Sequence, residues 1–294
     1  MKMRKFGLVV AFCVAFVFSA SGPASAAAIF LTGHDPDFHA SSGAGENPTG
    51  AQHINQVAIE FILDPLFNPF AGLAPKFLFV EAVMAVPGGH KAGALGLANS
   101  GYLAGVHYDL HGAATLGAAL DLLGDAGGYS GIVVASDFGG LLTQNELNIL
   151  NSRSADIISF LNAGGGLYAM AESNGGAHLT PSGGRFGFLP FVVSSTAFDA
   201  AESGNTVTAF GASLGLVASD VNGNFSHNIF QGTFGLSAVD VDPQGNVLSL
   251  AGRGTIVDGG VGQVTPVPEP GSLLLVASGV VAWRVKRRRR ADAA

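Results

Sequence analysis

Short runs of Val, Ile, Leu and Phe alternate along the chain with segments whose apolar positions recur every three or four residues. Runs apolar at nearly every position suit strands buried on both faces. Their alternation with helices predicts a doubly wound α/β fold with a mostly parallel sheet. Strands are expected at residues 28–32, 76–82, 105–110, 131–136 and 166–171. A first helix over 50–63 carries Ile54, Val57, Ala58, Phe61 and Ile62 on one face. The clearest helix spans 143–163: Thr143 and Glu146 have capping-box spacing, and Leu147, Leu150, Ile157, Ile158 and Leu161 form the buried stripe. Gly164, Gly165 and Gly166 end it. Beyond Pro181 the pattern turns to β, in FGFLPFVVSS, NTVTAFG and a hairpin whose turn is Asp242 to Asn246. No internal repeat is present. Residues 255–266, rich in Gly and Val with a late Pro, read as a linker.

The two ends depart from this pattern. Lys2, Arg4 and Lys5 precede an apolar stretch over 6–18 and the small residues Ala24, Ser25 and Ala26, the order of a secretory signal peptide removed on export. The single cysteine, Cys13, lies inside it, so the mature chain is expected to carry no thiol and no disulfide. Some 230 residues between the terminal signals suffice for one domain with a sizeable core. Of 14 Lys and Arg, three belong to the leader and six to residues 284–290. Five are left against 20 of the 21 acids, a body charge of about −15. That excludes nucleic acid as a natural partner.

The segment GIVVASDFGGLLTQNELNILNSRSADIISFLNAGGGLYAMAES, residues 131–173, resembles the strand, loop, long helix, glycine turn and strand of proteins related to class I glutamine amidotransferases, including the trehalose-utilisation-like group. The resemblance covers residues 28–254 and implies a flavodoxin-like sheet with its site at the carboxyl ends of the strands. Those amidotransferases place a cysteine after the strand that here reads LYAMA. This chain has Glu172, Ser173 and Asn174 there, which excludes thiol-dependent amide hydrolysis.

Two sets of residues remain as candidates. Ser173 can act as a nucleophile with His178 or His227 as base and Glu172 beside it, although the stretch is not G-x-S-x-G. The plainer reading makes Ser173 and Asn174 caps of a turn. In TGHDPDFHA, directly after the first strand, Asp35, Asp37 and His39 alternate. With Asp137 after the fourth strand they can converge on a divalent cation. The alternative is that the aspartates form Asx turns while His34 and His39 bond to backbone. The remaining histidines read as structural, and no cofactor is expected.

At the C-terminus, Pro268 and Pro270 hold Glu269 on a stiff, extended segment. The apolar run over 272–285, 14 residues with Arg284 near its end, makes about 21 Å of helix against about 30 Å of hydrocarbon, a marginal span. Arg284, Lys286, Arg287, Arg288, Arg289 and Arg290 form a cytoplasmic stop. This order of recognition motif, weak span and basic block resembles the PEP-CTERM sorting signal of Gram-negative bacteria. The resemblance implies an exosortase, a membrane cysteine transpeptidase, as partner, with the inner membrane as a transient host and an exopolysaccharide layer as the destination.

The expected organisation is a signal peptide over 1–26, a flavodoxin-like domain with β-rich C-terminal additions over 27–254, a linker over 255–266 and a sorting signal with a short transmembrane helix over 267–294. The expected function is that of an exported cell-surface or extracellular protein with a non-catalytic structural or binding body. The competing expectation is a secreted hydrolase or carbohydrate-acting enzyme working at the carboxyl ends of the strands.

Overall fold

The computed structural model describes residues 26–41, 47–82, 92–137, 139–171, 179, 186–189, 195–200, 203–257 and 259–263. The first half alternates strand and helix: β1 (Ala27–Thr32), α1 (Pro36–His39), α2 (Pro48–Leu63), β2 (Lys76–Val80), α3 (Gly93–Asn99), β3 (Tyr108–His111), α4 (Ala113–Leu120), β4 (Tyr129–Val134), α5 (Gln144–Ser152), α6 (Ser154–Asn162) and β5 (Gly166–Met170). The second half is mostly strand: β6 (Ser195–Ala200), β7 (Thr206–Val207), α7 (Ala209–Ser213), β8 (Ser226–Phe230), β9 (Ser237–Val241), β10 (Val247–Val257) and β11 (Gly260–Gln263).

All these strands join one sheet. Five are parallel, in the spatial order β3-β2-β4-β5-β1, and β10 then pairs antiparallel with the free edge of β1. The further pairs of β10 with β9, β8 and β11, of β8 with β6 and of β9 with β7 are antiparallel too, so the sheet is mixed rather than mostly parallel. The strand order also departs from the flavodoxin-like 2-1-3-4-5. The outer place beside β5 is taken by β1, the strand nearest the N-terminus, whose other edge is left open for β10.

The winding is double, as the alternation of apolar runs and helices predicts. Ala27, Ile29 and Leu31 of β1 face the core under α4, α5 and α6, with Ile132, Val134, Leu167 and Ala169 beside them. Ala28 and Phe30 face the opposite core under α2 and α3, with Val133, Tyr168 and Met170. The period-two alternation within strands buried on both sides produces the three layers.

Local chemistry sets the helix ends. Asn47 caps α2, its Oδ1 accepting the N–H of Gly50, and Pro48 fits the first turn. The helix stops at Asp64 because Pro65 forbids a helical residue before it. The carboxylate of Glu146 accepts the N–H of Thr143 at 3.1 Å, the expected capping-box contact, and its other oxygen accepts the N–H of Ala113 at 2.8 Å, tying α5 to α4. The helix expected over 143–163 is broken at Arg153, where φ is −106° and ψ 16°. Ser152 bonds back to the carbonyl of Ile149, and Ser154 donates to that of Phe188, so side chains compete with the ladder there. A Schellman turn ends α6: Gly164 takes φ 101°, and the N–H of Gly165 reaches the carbonyl of Phe160.

Three further expectations are corrected. NTVTAFG is strand only at Thr206–Val207; Thr208 then caps α7, its Oγ1 accepting the N–H of Gly211. In FGFLPFVVSS, residues 186–189 form a turn, residues 190–194 lie outside the described residues, and β6 takes Ser195. The segment read as a linker over 255–266 carries the end of β10 and, in β11, its hairpin partner. Gly and Val there serve close strand pairing. A Cβ on Gly254 would lie 2.1 Å from the carbonyl oxygen of Gly262.

Two helical glycines should respond to alanine with opposite sign. A Cβ on Gly96 in α3 would sit 1.7 Å from the carbonyl oxygen of Asp37, whereas one on Gly117 in α4 meets nothing within 4 Å. Gly96→Ala is expected to destabilise by about 1–3 kcal/mol through overpacking. Gly117→Ala is expected to stabilise by roughly 0.5–1 kcal/mol through helix propensity. Urea denaturation of both variants checks the pair.

Candidate functional site at the carboxyl edge

Because β1, β2, β3, β4 and β5 are parallel, the residues that follow them gather on one edge of the sheet. The turn after β1 is clamped to the β-rich half. The N–H of Gly33 donates to the carbonyl of Leu248, and its own carbonyl accepts from His227 and Asn228. A Cβ on Gly33 would stand 2.0 Å from the carbonyl oxygen of Asn228, so only glycine permits this approach. His34, next in the chain, places Nε2 2.8 Å from Oδ2 of Asp240 on β9, both side chains buried.

The same clamp brings Asp35, His39 and His227 together. Asp35 and His39 stand four residues apart across α1, and His227 comes from β8. Oδ1 of Asp35 lies 3.1 Å from Nε2 of His39 and 3.3 Å from Nε2 of His227. The two imidazoles are parallel within 5°, their centres 6.1 Å apart. Phe38 covers the His39 ring at 5.1 Å, and Phe225 lies 6.4 Å from that of His227. Burial alone would push the Asp35 carboxyl up. The imidazoles of His227 and His39 outweigh it and hold the carboxyl well below the usual range.

Asp37 turns the other way. Its Oδ2 accepts from the N–H of Ser136 at 2.9 Å and from the Ser136 hydroxyl at 3.1 Å, while Oδ1 accepts the N–H of Phe38. A Cβ on Gly140 would lie 1.8 Å from that Oδ2, so the loop after β4 closes directly over the carboxyl. Burial, then the charge of Asp35, pushes Asp37 up to about 7. Glu81, just beyond β2, accepts from the N–H groups of Ala94 and Gly93 at the start of α3. Burial, then the charge of Asp37, pushes it up to about 8. Asn55 of α2 supports the arrangement from below. Its amide donates to the carbonyl of Pro36 at 2.9 Å and to Ser100, and its Oδ1 accepts from the hydroxyl of Tyr168.

Of the residues singled out in the sequence, the structure joins Asp35 and His39 from one set with His227 from the other. Asp37 is held by Ser136 instead, and Asp137 is buried beside Ser136, outside the three-residue cluster. Glu172 and Ser173 lie outside the described residues, as do Pro268, Glu269, Pro270, Arg284 and the stretch from Lys286 to Arg290. Sequence reasoning passed over Glu81, although it follows a strand end as Asp35 and Asp137 do. It had no means of pairing His227 with Asp35 across 192 positions.

Residues 266–290 match the family model of the PEP-CTERM protein-sorting motif, which indicates an exported protein processed by exosortase from a membrane-anchored precursor. No curated protein and no solved structure matches the chain, so the resemblance of the body to amidotransferase-related proteins finds no support there. Among the described residues no helix is long and apolar enough to cross a membrane.

The raised carboxyl of Glu81 sets a pH dependence. Between its ordinary 4.5 and about 8 the folded chain keeps a proton that the unfolded chain has released. Its contribution to stability is therefore full below 4.5 and lost as pH rises toward 8. Glu81→Gln keeps an acceptor for the two N–H groups and removes the titration. Urea midpoints measured from pH 5 to 8 should fall less steeply for the variant than for the native chain; equal slopes would refute the assignment.

Proposed function

We propose that the chain is the precursor of a cell-surface or extracellular protein, exported by its N-terminal signal and released by exosortase at Pro268-Glu269-Pro270, and that its body is a non-catalytic structural or binding domain. The observation that carries the reading is the sorting motif matched over residues 266–290. The chemistry of that segment suits a processing signal. Two prolines present the Glu269 carboxylate on a stiff segment, a marginal apolar run follows, and the basic block keeps the end cytoplasmic. An acidic body of this composition fits the exterior, in an exopolysaccharide-associated layer. The buried state of the carboxyl edge favours a structural or binding role over hydrolysis: Asp35, Asp37, Glu81, His39 and His227 are each at least nine-tenths buried, and a substrate would have to reach them.

In a cell that carries the sorting enzyme, Glu269→Gln removes the charge while keeping the shape, and uncut protein is expected to accumulate in the inner membrane. Deleting residues 286–290 should act differently, letting the short span slip through so that unprocessed protein escapes to the periplasm. Fractionation with immunoblotting separates the two defects; a Glu269→Gln chain that matures and leaves the cell like the native one would refute recognition of that carboxylate. Because Cys13 is removed with the leader, the mature protein is also expected to take up no thiol label. Stoichiometric labelling would show that the leader is retained.

A further inference from the structure

The cluster of Asp35, His39 and His227 has the chemistry and spacing of a ligand set. One carboxylate and two imidazoles are the donors that zinc and its neighbours prefer, whereas magnesium and calcium take oxygen almost alone. Donors bound about 2.0–2.1 Å from a shared ion in a tetrahedral site stand about 3.3 Å from one another. Here Oδ1 of Asp35 is 3.1 and 3.3 Å from the two Nε2 atoms, and one ligand atom from each of the three residues lies within 4.8 Å of the others.

Alignment separates this arrangement from a simple ion-pair triad. Among the described residues neither oxygen of Asp35 and neither ring nitrogen of His39 has a hydrogen-bond partner of good geometry, although the atoms are close. Close approach of Asp35 Oδ1 to the two Nε2 atoms without hydrogen-bond alignment is the spacing of donors grouped around a shared ion. A buried polar group left so carries a cost that an ion would remove. Asp35, His39 and His227 are 0%, 6% and 9% exposed, so the ion would be enclosed, and three protein donors leave the fourth position of a tetrahedral site to water.

We propose that Asp35, His39 and His227 bind one divalent transition-metal ion of the zinc class and that the ion locks β8 to the turn after β1. This concerns the body alone and stands or falls independently of sorting at Glu269. The cross-link closes a chain segment of nearly 200 residues, so its loss should loosen the attachment of the β-rich half.

The test uses the full-length chain, purified without a histidine tag in mild detergent, stripped with chelator and dialysed against zinc. One zinc per chain is expected by elemental analysis, with a thermal midpoint that rises with zinc, falls on chelation and ignores magnesium. His39→Ala and His227→Ala should each weaken zinc binding by at least about 100-fold, more than typical losses from outer-shell changes. His53→Ala removes a more exposed histidine paired with Asp220 at 2.8 Å and should leave stoichiometry unchanged. If the alanine variants at 39 and 227 do not fold, cobalt decides. One equivalent added to the native chain should give the visible absorption bands of a low-symmetry imidazole-carboxylate site. Failure to hold zinc or cobalt stoichiometrically, full zinc retention by the double variant at 39 and 227, or loss of zinc on His53→Ala alone would each overturn the proposal.

Discussion

The pairing of β1 on both its edges is the constraint on which the rest of this structure depends. Its six residues are buried, hydrogen-bonded in parallel to β5 on one side and antiparallel to β10 on the other. A strand in that place cannot be lost without unsatisfied backbone groups on two neighbours. It also joins the wound half of the chain to the β-rich half. The polar contacts that reinforce the joint follow from it. Asn47 donates to the carbonyls of Ser219 and Asn222 and exchanges bonds with Asn224, and His53 meets Asp220, so the start of α2 is sewn to the loop before β8.

The continuation of β1 concentrates charge where water is excluded. Asp35, Asp37 and Glu81 are carboxyls held within one edge, and such a group cannot all ionise cheaply in a low-dielectric setting. The structure divides the burden. The two imidazoles favour the ionised form of Asp35, while Asp37 and Glu81 are pushed toward the protonated form and receive N–H and hydroxyl donors from Ser136, Gly93 and Ala94. One sequence stretch, HDPDFH, thus presents alternate residues to two different environments. Asp35 and His39 face β8, and Asp37 faces the loop after β4.

The body and the tail obey separate physics. The body is stabilised by two apolar layers against one sheet, with no cysteine among its residues, and by close backbone approaches that glycine permits. The sorting motif over residues 266–290 is a feature of linear order: Pro-Glu-Pro, an apolar run and a block of basic residues. Such a signal is carried by sequence and can be read in an extended chain.

That difference explains what was legible. Period and composition by themselves determined the five parallel strands, the double winding, the helix start at Thr143 and the hairpin at Asp242, since each rests on residues near one another in the chain. The sorting motif was legible for the same reason. Strand order was not. That β1 occupies the outer place beside β5 and accepts β10 depends on pairing between segments 138 residues apart in one case and more than 200 in the other, and nothing in any segment's own pattern encodes its neighbour. The break at Arg153 involves the carbonyl of Phe188, which the Ser154 hydroxyl reaches only in the folded chain. The meeting of His227 with Asp35 and His39 likewise required the tertiary structure, because the close approach of Gly33 to β8, and no local preference, carries that histidine to the edge where the aspartate is buried.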